Sequence, residues 1–331
     1  MTQAKSSADL QVADARGDSQ EEVSGAGLAV MYHYVREQYT GSGIFGMTTA
    51  EFEAQVIWLK AHCHLIHPRE FLERLEDRAS LPARSCVLTF DDGLADHYRY
   101  AFPILRKHGL SAFFFLITGP LETGRMATVH KTHLLRRAMG ERPFAAECRR
   151  RLAAAGWTPE GCGGSGQEGA YRWDASEVGN LKFFLTRVVP SDLLDVTVAE
   201  LFSETMGPEE RHVSSMYVSW EQARELQEAG MVIGGHSHAH RMYSRMEPCE
   251  QAADIAACLS ALDRRLGRPA VSYAYPFGQA ASFNDDTRRL LRSHGIRCAF
   301  ANQPGAIEAG SDPLALKRRD PKDPILNAHG P

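Results

Sequence analysis

The sequence predicts an α/β protein built from parallel β/α units and interrupted by a mostly helical insertion. Three observations predict it. Short apolar runs alternate with helix-length amphipathic stretches toward both ends of the chain, the pattern of strands buried between helices. That alternation stops between about Pro120 and Ser215, where helical patterns follow one another. The length, 331 residues, is about two domains' worth of chain, or one large α/β domain with an insertion.

Taken in order, residues 1–25 are rich in Ser, Asp, Glu, Gln and Gly and offer little to bury, so a flexible tail is expected. Gly27 to His33 is a buried strand by its apolar run. Thr49 to His62 starts at a Thr cap and spaces Phe52, Val56 and Leu59 as a helix does; Pro68 to Leu75 makes a second, shorter one. Cys86 to Phe90 is an apolar strand that stops abruptly at Asp91-Asp92-Gly93. A helix from His97 to His108 ends at Gly109, and Ser111 to Ile117 is the next strand. The alternation resumes with the helix Trp220 to Ala229, the strand Met231 to Gly235, the helix Pro248 to Leu266 and the strand Val271 to Tyr275. The helix Asp285 to His294 and the strand Arg297 to Ala301 follow, with Leu314 to Lys317 as the last strand.

Inside 120–215 the helices are Thr132 to Met139, Pro143 to Ala155, Ala175 to Val188 and Ser191 to Met206, divided by the glycine-rich connector Gly161 to Gly169. The reading therefore divides the chain into a 1–25 tail, a core of 26–119 and 216–319, an insertion at 120–215 serving as a cap or specificity region, and an irregular 320–331 tail.

Composition narrows the function. Hydrophobic residues are 44% and charged residues 24%, ordinary for a globular chain. The 37 basic and 41 acidic residues leave a net charge of −4, so no global basic field attracts nucleic acid or anionic lipid. The seven scattered cysteines form no CxxC pair and read as free thiols in a reducing compartment. No apolar run suits a signal peptide or a membrane span. The expectation is a cytoplasmic protein with no nucleic acid partner and no membrane span.

Two short stretches carry chemistry. Asp91 and Asp92 are adjacent carboxylates at a strand end, which in parallel α/β folds opens onto the ligand crevice. Two such charges are costly unless a cation stands beside them. His236-Ser237-His238-Ala239-His240 follows another strand, and histidines four apart on a helical turn share one face. Imidazole with carboxylate suits Zn²⁺, Fe²⁺, Co²⁺ or Ni²⁺ better than Mg²⁺ or Ca²⁺.

Thr89-Phe90-Asp91-Asp92-Gly93 together with His236-Ser237-His238-Ala239-His240 resembles the first two motifs of the polysaccharide deacetylase family (NodB homology, carbohydrate esterase family 4). Ala274-Tyr275-Pro276-Phe277-Gly278 resembles the third, and Val30-Met31-Tyr32-His33 the opening strand of many members. The resemblance implies a distorted (β/α) barrel holding one divalent metal, zinc first, with cobalt, nickel or iron as alternatives. It implies Asp92, His236 and His240 as ligands and Asp91 as general base. The stretch Tyr275, Pro276, Phe277 and Gly278 is implied to line the substrate and to supply a backbone N–H to the oxyanion.

Two positions depart from the family pattern. Ala274 stands where an arginine often orients the base, and Leu314-Ala315-Leu316 is followed by Lys317 where a late histidine usually supplies the acid. His33 is therefore the expected general acid, with Arg318 and Asp286 as candidates for orienting Asp91. His130 and His133 are expected at the surface where a helix begins, Trp157, Tyr171 and Trp173 in helical packing, and Ser237 as a loop cap. The expected activity is N-deacetylation of an N-acetylated amino sugar, a small precursor or glycoconjugate. The competing expectations are hydrolysis of a non-sugar or cyclic amide and a catalytically silent carbohydrate-binding barrel.

Overall fold

The computed structural model describes residues 27–38, 46–77, 81–158 and 176–327. The expected tail at 1–25, the connector Gly161 to Gly169, Tyr171 and Trp173, and residues 328–331 of the tail expected at 320–331 lie outside the described residues; the described part of that tail is not wholly irregular, since it ends in the short helix Pro324–Asn327.

The strands are β1 (Leu28–Tyr32), β2 (Val35–Arg36), β3 (Met47–Thr48), β4 (His64–Leu65), β5 (Ser85–Phe90), β6 (Phe113–Leu116), β7 (Val232–Gly235), β8 (Ser272–Ala274) and β9 (Cys298–Phe300). The main sheet runs β1-β5-β6-β7-β8-β9 with every pairing parallel, and β4 pairs the start of β5. These strands are buried nearly throughout, which is why they read as continuous apolar runs and not as alternating ones. Parallel neighbours need crossovers, and the helices Thr49–His62, Pro248–Leu266 and Asp285–Ser293 supply three of them, each opened by a capping box.

Leu314 to Lys317 does not form the expected strand of its own. Instead Leu316 bridges Phe300 of β9 and Arg319 bridges Val30 of β1, both in parallel sense. The backbone bonds Ala301 N to Leu316 O (2.8 Å) and Met31 N to Arg319 O (2.9 Å) make the join. This short extended segment closes the gap between the last and first strands, so the strands curve into a barrel.

The described residues between β6 and β7 are mostly helical: Thr118–Thr123, Thr128–Met139, Glu141–Ala154, Ser176–Phe183, Ser191–Met206 and Glu210–Met216, then Trp220–Glu228 back on the barrel. The helices Thr118–Thr123 and Glu210–Met216 are not expected from the sequence pattern, and the helix expected from Thr132 begins at Thr128. Its cap residue is Ala127, which has no side chain to accept from the first turn. No capping signal is therefore visible in the sequence. These helices share a hydrophobic cluster including Leu135, Phe144, Leu185, Val198 and Phe202, which meets the barrel at Tyr34, Leu94 and Ile117.

The expected helix from His97 opens as a wide turn, His97–Ala101, before the α-helix Phe102–Lys107. Phe102 N bonds back five residues to His97 O, and the next residue, Pro103, has no N–H to give. The described cysteines are free thiols, and no described helix is long and apolar enough to cross a membrane.

Candidate active site

β5 delivers Asp91 and Asp92 to the rim, and Gly93 turns the chain away. Asp92 sits at φ +76° and Gly93 at φ +65°. A Cβ on Gly93 would meet Leu116 Cδ2 at 2.8 Å, so glycine is needed there for space as well as for backbone freedom.

Asp91 is buried, and its two oxygens accept a bidentate pair from Arg318: Nη1 to Oδ1 at 2.7 Å and Nη2 to Oδ2 at 2.6 Å. Arg318 is itself buried and also donates to Thr89 Oγ1 (3.0 Å) and Ala301 O (3.1 Å). Burial pushes the Asp91 carboxyl up, but Arg318 first and His236 next hold it below the usual carboxylate range. Asp286 does not take this part: it is on the outer helix Asp285–Ser293 and pairs with Arg289. The barrel-closing segment, not a third-motif arginine, orients this carboxylate.

His236 and His240 reach the same point from β7, though not on a helical turn as their spacing suggested. Residues 236–240 form an irregular loop with Ser237 at φ +71° and His240 at φ +55°. Ser237 Oγ caps it by accepting from His240 N (2.8 Å), and the Asp254 carboxylate accepts from His238 N (3.1 Å) and Ala239 N (2.8 Å). His238 turns aside to Thr118 Oγ1 at 2.9 Å.

Asp92 Oδ1 lies 3.3 Å from Nε2 of both His236 and His240. It is buried with no hydrogen-bond partner, as is His240 Nδ1. His236 Nδ1 meets Ala274 O at 2.7 Å; a carbonyl only accepts, so the ring proton is there and the Nε2 lone pair faces Asp92. A carboxylate oxygen and two imidazole nitrogens thus converge, all within 4.8 Å of one another. That donor set fits a divalent cation. Burial would raise the Asp92 carboxyl, yet His130 and then His236 and His240 hold it well below the usual range.

His33 stands across Asp91 with Nε2 4.0 Å from Oδ2, and 38% of its side chain is exposed, so it faces the open side of the site. His97 fixes its backbone by meeting His33 O at 2.8 Å through Nε2. Phe277, at φ +63°, packs on His240 with ring centroids 5.1 Å apart. Tyr275 is buried in the core, stacked on Phe283 at 3.8 Å with its hydroxyl on Leu314 O, so it does not face the site. Pro276 is buried, and its carbonyl engages the Gly278 N–H at 2.7 Å. Gly278 packs where a Cβ would meet Asn302 N at 2.5 Å.

The sequence model described as polysaccharide deacetylase matches residues 78–158 and 192–299. The chain belongs to the polysaccharide deacetylase family. Two relatives are poly-beta-1,6-N-acetyl-D-glucosamine N-deacetylases. That of Staphylococcus epidermidis is 35% identical over 104 residues, covering 28% of this chain and 36% of that protein. That of Staphylococcus aureus strain N315 is 31% identical over 124 residues, covering 33% and 42%. The match therefore spans about two fifths of the relatives' length or less. Among solved structures, the Streptococcus pyogenes deacetylase PplD in complex with acetate superposes with a TM-score of 0.57 at 17% identity, covering 90% of this chain and 92% of that one. IcaB from Ammonifex degensii gives 0.57 at 18%, covering 92% and 95%. At such identities the likeness is one of fold, and that fold is the deacetylase family's.

Two residues of this deacetylase-family chain differ from the sequence expectation. His130 is not at the surface: it is fully buried, its Nε2 3.2 Å from Asp92 Oδ2. His133 is half-buried against Tyr34, Nδ1 to hydroxyl 3.1 Å. Trp157 does pack on the helical region, 6.1 Å from Phe184 between centroids.

Proposed function

We propose that this chain is a metal-dependent N-deacetylase that hydrolyses the acetamido group of an N-acetylated amino sugar. The observation that carries it is the pairing of two carboxylates with opposite environments: Asp92 aimed at two imidazole nitrogens, and Asp91 locked to Arg318 beside them. Asp92, His236 and His240 are the residues to hold the ion. With a divalent cation bound there, zinc in our reading, the site would gain Lewis-acid chemistry: polarisation of the acetamido carbonyl and a lowered pKa of water.

Asp91 is the general base. Kept anionic by Arg318, it accepts a proton from water as the new C–O bond forms. Arg318 occupies one lone pair on each oxygen and fixes the carboxylate plane, so the remaining lone pair of Oδ2 faces the open side toward His33. His33 is our general acid. It protonates the amine nitrogen as the C–N bond breaks, giving acetate and a free amine. The backbone at Phe277, turned by its positive φ, is our candidate for a second oxyanion donor.

A cavity of about 170 Å³ adjoins the site between His240, Phe277 and the helical region, lined by Val129, Leu181, Leu185 and Met242 among others. A recess of that size supports a compact substrate, a precursor or glycoconjugate, over a long polymer lying across an open groove. N-acetylglucosamine is the sugar suggested by the names of the relatives. The test is acetate release by the metal-loaded chain from N-acetylglucosamine conjugates and from β-1,6- and β-1,4-linked N-acetylglucosamine oligomers. Faster turnover of the conjugates supports the reading; faster turnover of oligomers overturns the small substrate, and acetate from neither overturns the activity. Asp91→Asn is expected to keep the metal and lose turnover by about 10²–10⁴-fold.

A further inference from the structure

Asp92 is approached from beneath by His130 of the helical region, which is held in turn by Tyr217. His130 Nε2 is 3.2 Å from Asp92 Oδ2, and His130 Nδ1 is 2.6 Å from the Tyr217 hydroxyl. The Tyr217 oxygen in turn accepts from Ala127 N at 3.0 Å. All three side chains are buried.

Donor and acceptor rules assign the protons along this chain. The Ala127 amide can only donate, so the Tyr217 oxygen accepts there and directs its own proton to His130 Nδ1. Nδ1 accepts, the ring carries its proton on Nε2, and Nε2–H donates to Asp92 Oδ2. The opposite tautomer would set a ring lone pair against a carboxylate oxygen and strand a hydroxyl proton in a buried place.

The relay is built into the fold. His130 is in the first turn of the helix Thr128–Met139. Tyr217 directly follows the helix Glu210–Met216, and the bridge between Leu94 and Tyr217 seats it against the loop after Asp92. Glu209 clasps the two ends together, accepting from Met126 N at 2.8 Å and from Lys131 Nζ at 3.1 Å.

We propose that His130, held in one tautomer by Tyr217, is a positioning residue for Asp92, so that the helical region sets how tightly the centre holds its cation. Tying Oδ2 leaves Oδ1 as the oxygen turned toward His236 and His240. Partners of this kind fix a ligand's orientation, and removing one typically costs 10–100-fold in metal affinity. The inference rests on the metal-site reading above.

The test is Co²⁺ binding to the full chain after chelation, with affinity from chelator competition, coordination from the visible spectrum, and folding of each apo variant from circular dichroism and thermal melting. Tyr217→Phe and His130→Ala are expected to weaken Co²⁺ by about 10–100-fold with unchanged band positions. His130→Gln, which keeps an N–H for Oδ2, is expected to recover most of the loss. Unchanged affinity in Tyr217→Phe and His130→Ala overturns the proposal, and so does a shifted spectrum in the His130 variants, which makes His130 a ligand. If His130→Ala does not fold, Tyr217→Phe carries the test alone. Wild-type chain that binds no Co²⁺, or binds it equally after Asp92→Ala, overturns the underlying metal site instead.

Discussion

Asp91 shows how one buried carboxylate is kept both charged and aimed. Both its oxygens are bonded to Arg318, so changing Arg318 acts on charge and on geometry separately. Arg318→Lys keeps the charge without the fork, and turnover is expected to fall about 10–100-fold with the fold intact. Arg318→Met leaves Asp91 buried and unpaired, at a cost of about 3–5 kcal/mol in denaturant unfolding. With its cation gone the Asp91 pKa rises, so the acidic limb of the kcat/KM profile moves to higher pH in that variant. His97 offers a pH prediction of its own. Burial lowers its pKa to about 4, against 6.5 for the free side chain. Between those values the unfolded chain binds a proton that the folded chain refuses, so stability falls as pH drops from about 6.5 to 4, by about 3 kcal/mol for this residue. His133 and His240 are also held low and act in the same direction. The measurement is therefore the difference between wild type and His97→Gln in apo-protein denaturation, expected to shrink across that window. Asp91 and Asp92 add their own loss below about pH 4, which separates the two effects.

Among the elements, the loop after β7 is the one most dependent on a neighbour. His236 N bonds Leu116 O, Thr118 N bonds Ser237 O and Gly119 N bonds His238 O, so the histidine loop is a template cast against the end of β6. A Cβ on Gly119 would come within 2.3 Å of His238 O. Gly119→Ala is expected to cost about 1–3 kcal/mol and to weaken Co²⁺ binding, checked by melting and by titration. Local sequence made much of this site legible. A strand end with two aspartates and a histidine pair are contiguous signals, and each points at chemistry without its neighbours. What the sequence did not disclose were conformations set by tertiary contact: the left-handed Ser237 and His240, the inward-facing Tyr275, and a helix start at Ala127 that no side chain caps. The last of these hid His130, because four residues of helix moved it from an apparent entry loop to the floor of the site.

At the scale of the molecule, the helical region is fastened to the barrel rim by polar clasps around the cavity. Arg241 pairs with Asp195 and Asp192, Arg187 reaches Gln279 and Ala281 O, and Arg245 reaches Thr186 O. Asp195→Ala is expected to raise KM about fivefold for a small conjugate, the effect of about 1 kcal/mol for a half-exposed pair. Because kcat depends on groups beyond this clasp, it is expected to change less. The alternation of strands and helices disclosed a parallel sheet, but not that the sheet closes, since closure depends on a segment too short and irregular to announce itself. That segment also gives synthesis a clock. Asp91 and Arg318 are 227 residues apart in the chain, so a growing polypeptide exposes Asp91 long before its guanidinium partner has been made. A nascent chain ending after β9 lacks the guanidinium that orients Asp91; under the proposed mechanism, competence for amide cleavage arrives with translation of the closing segment.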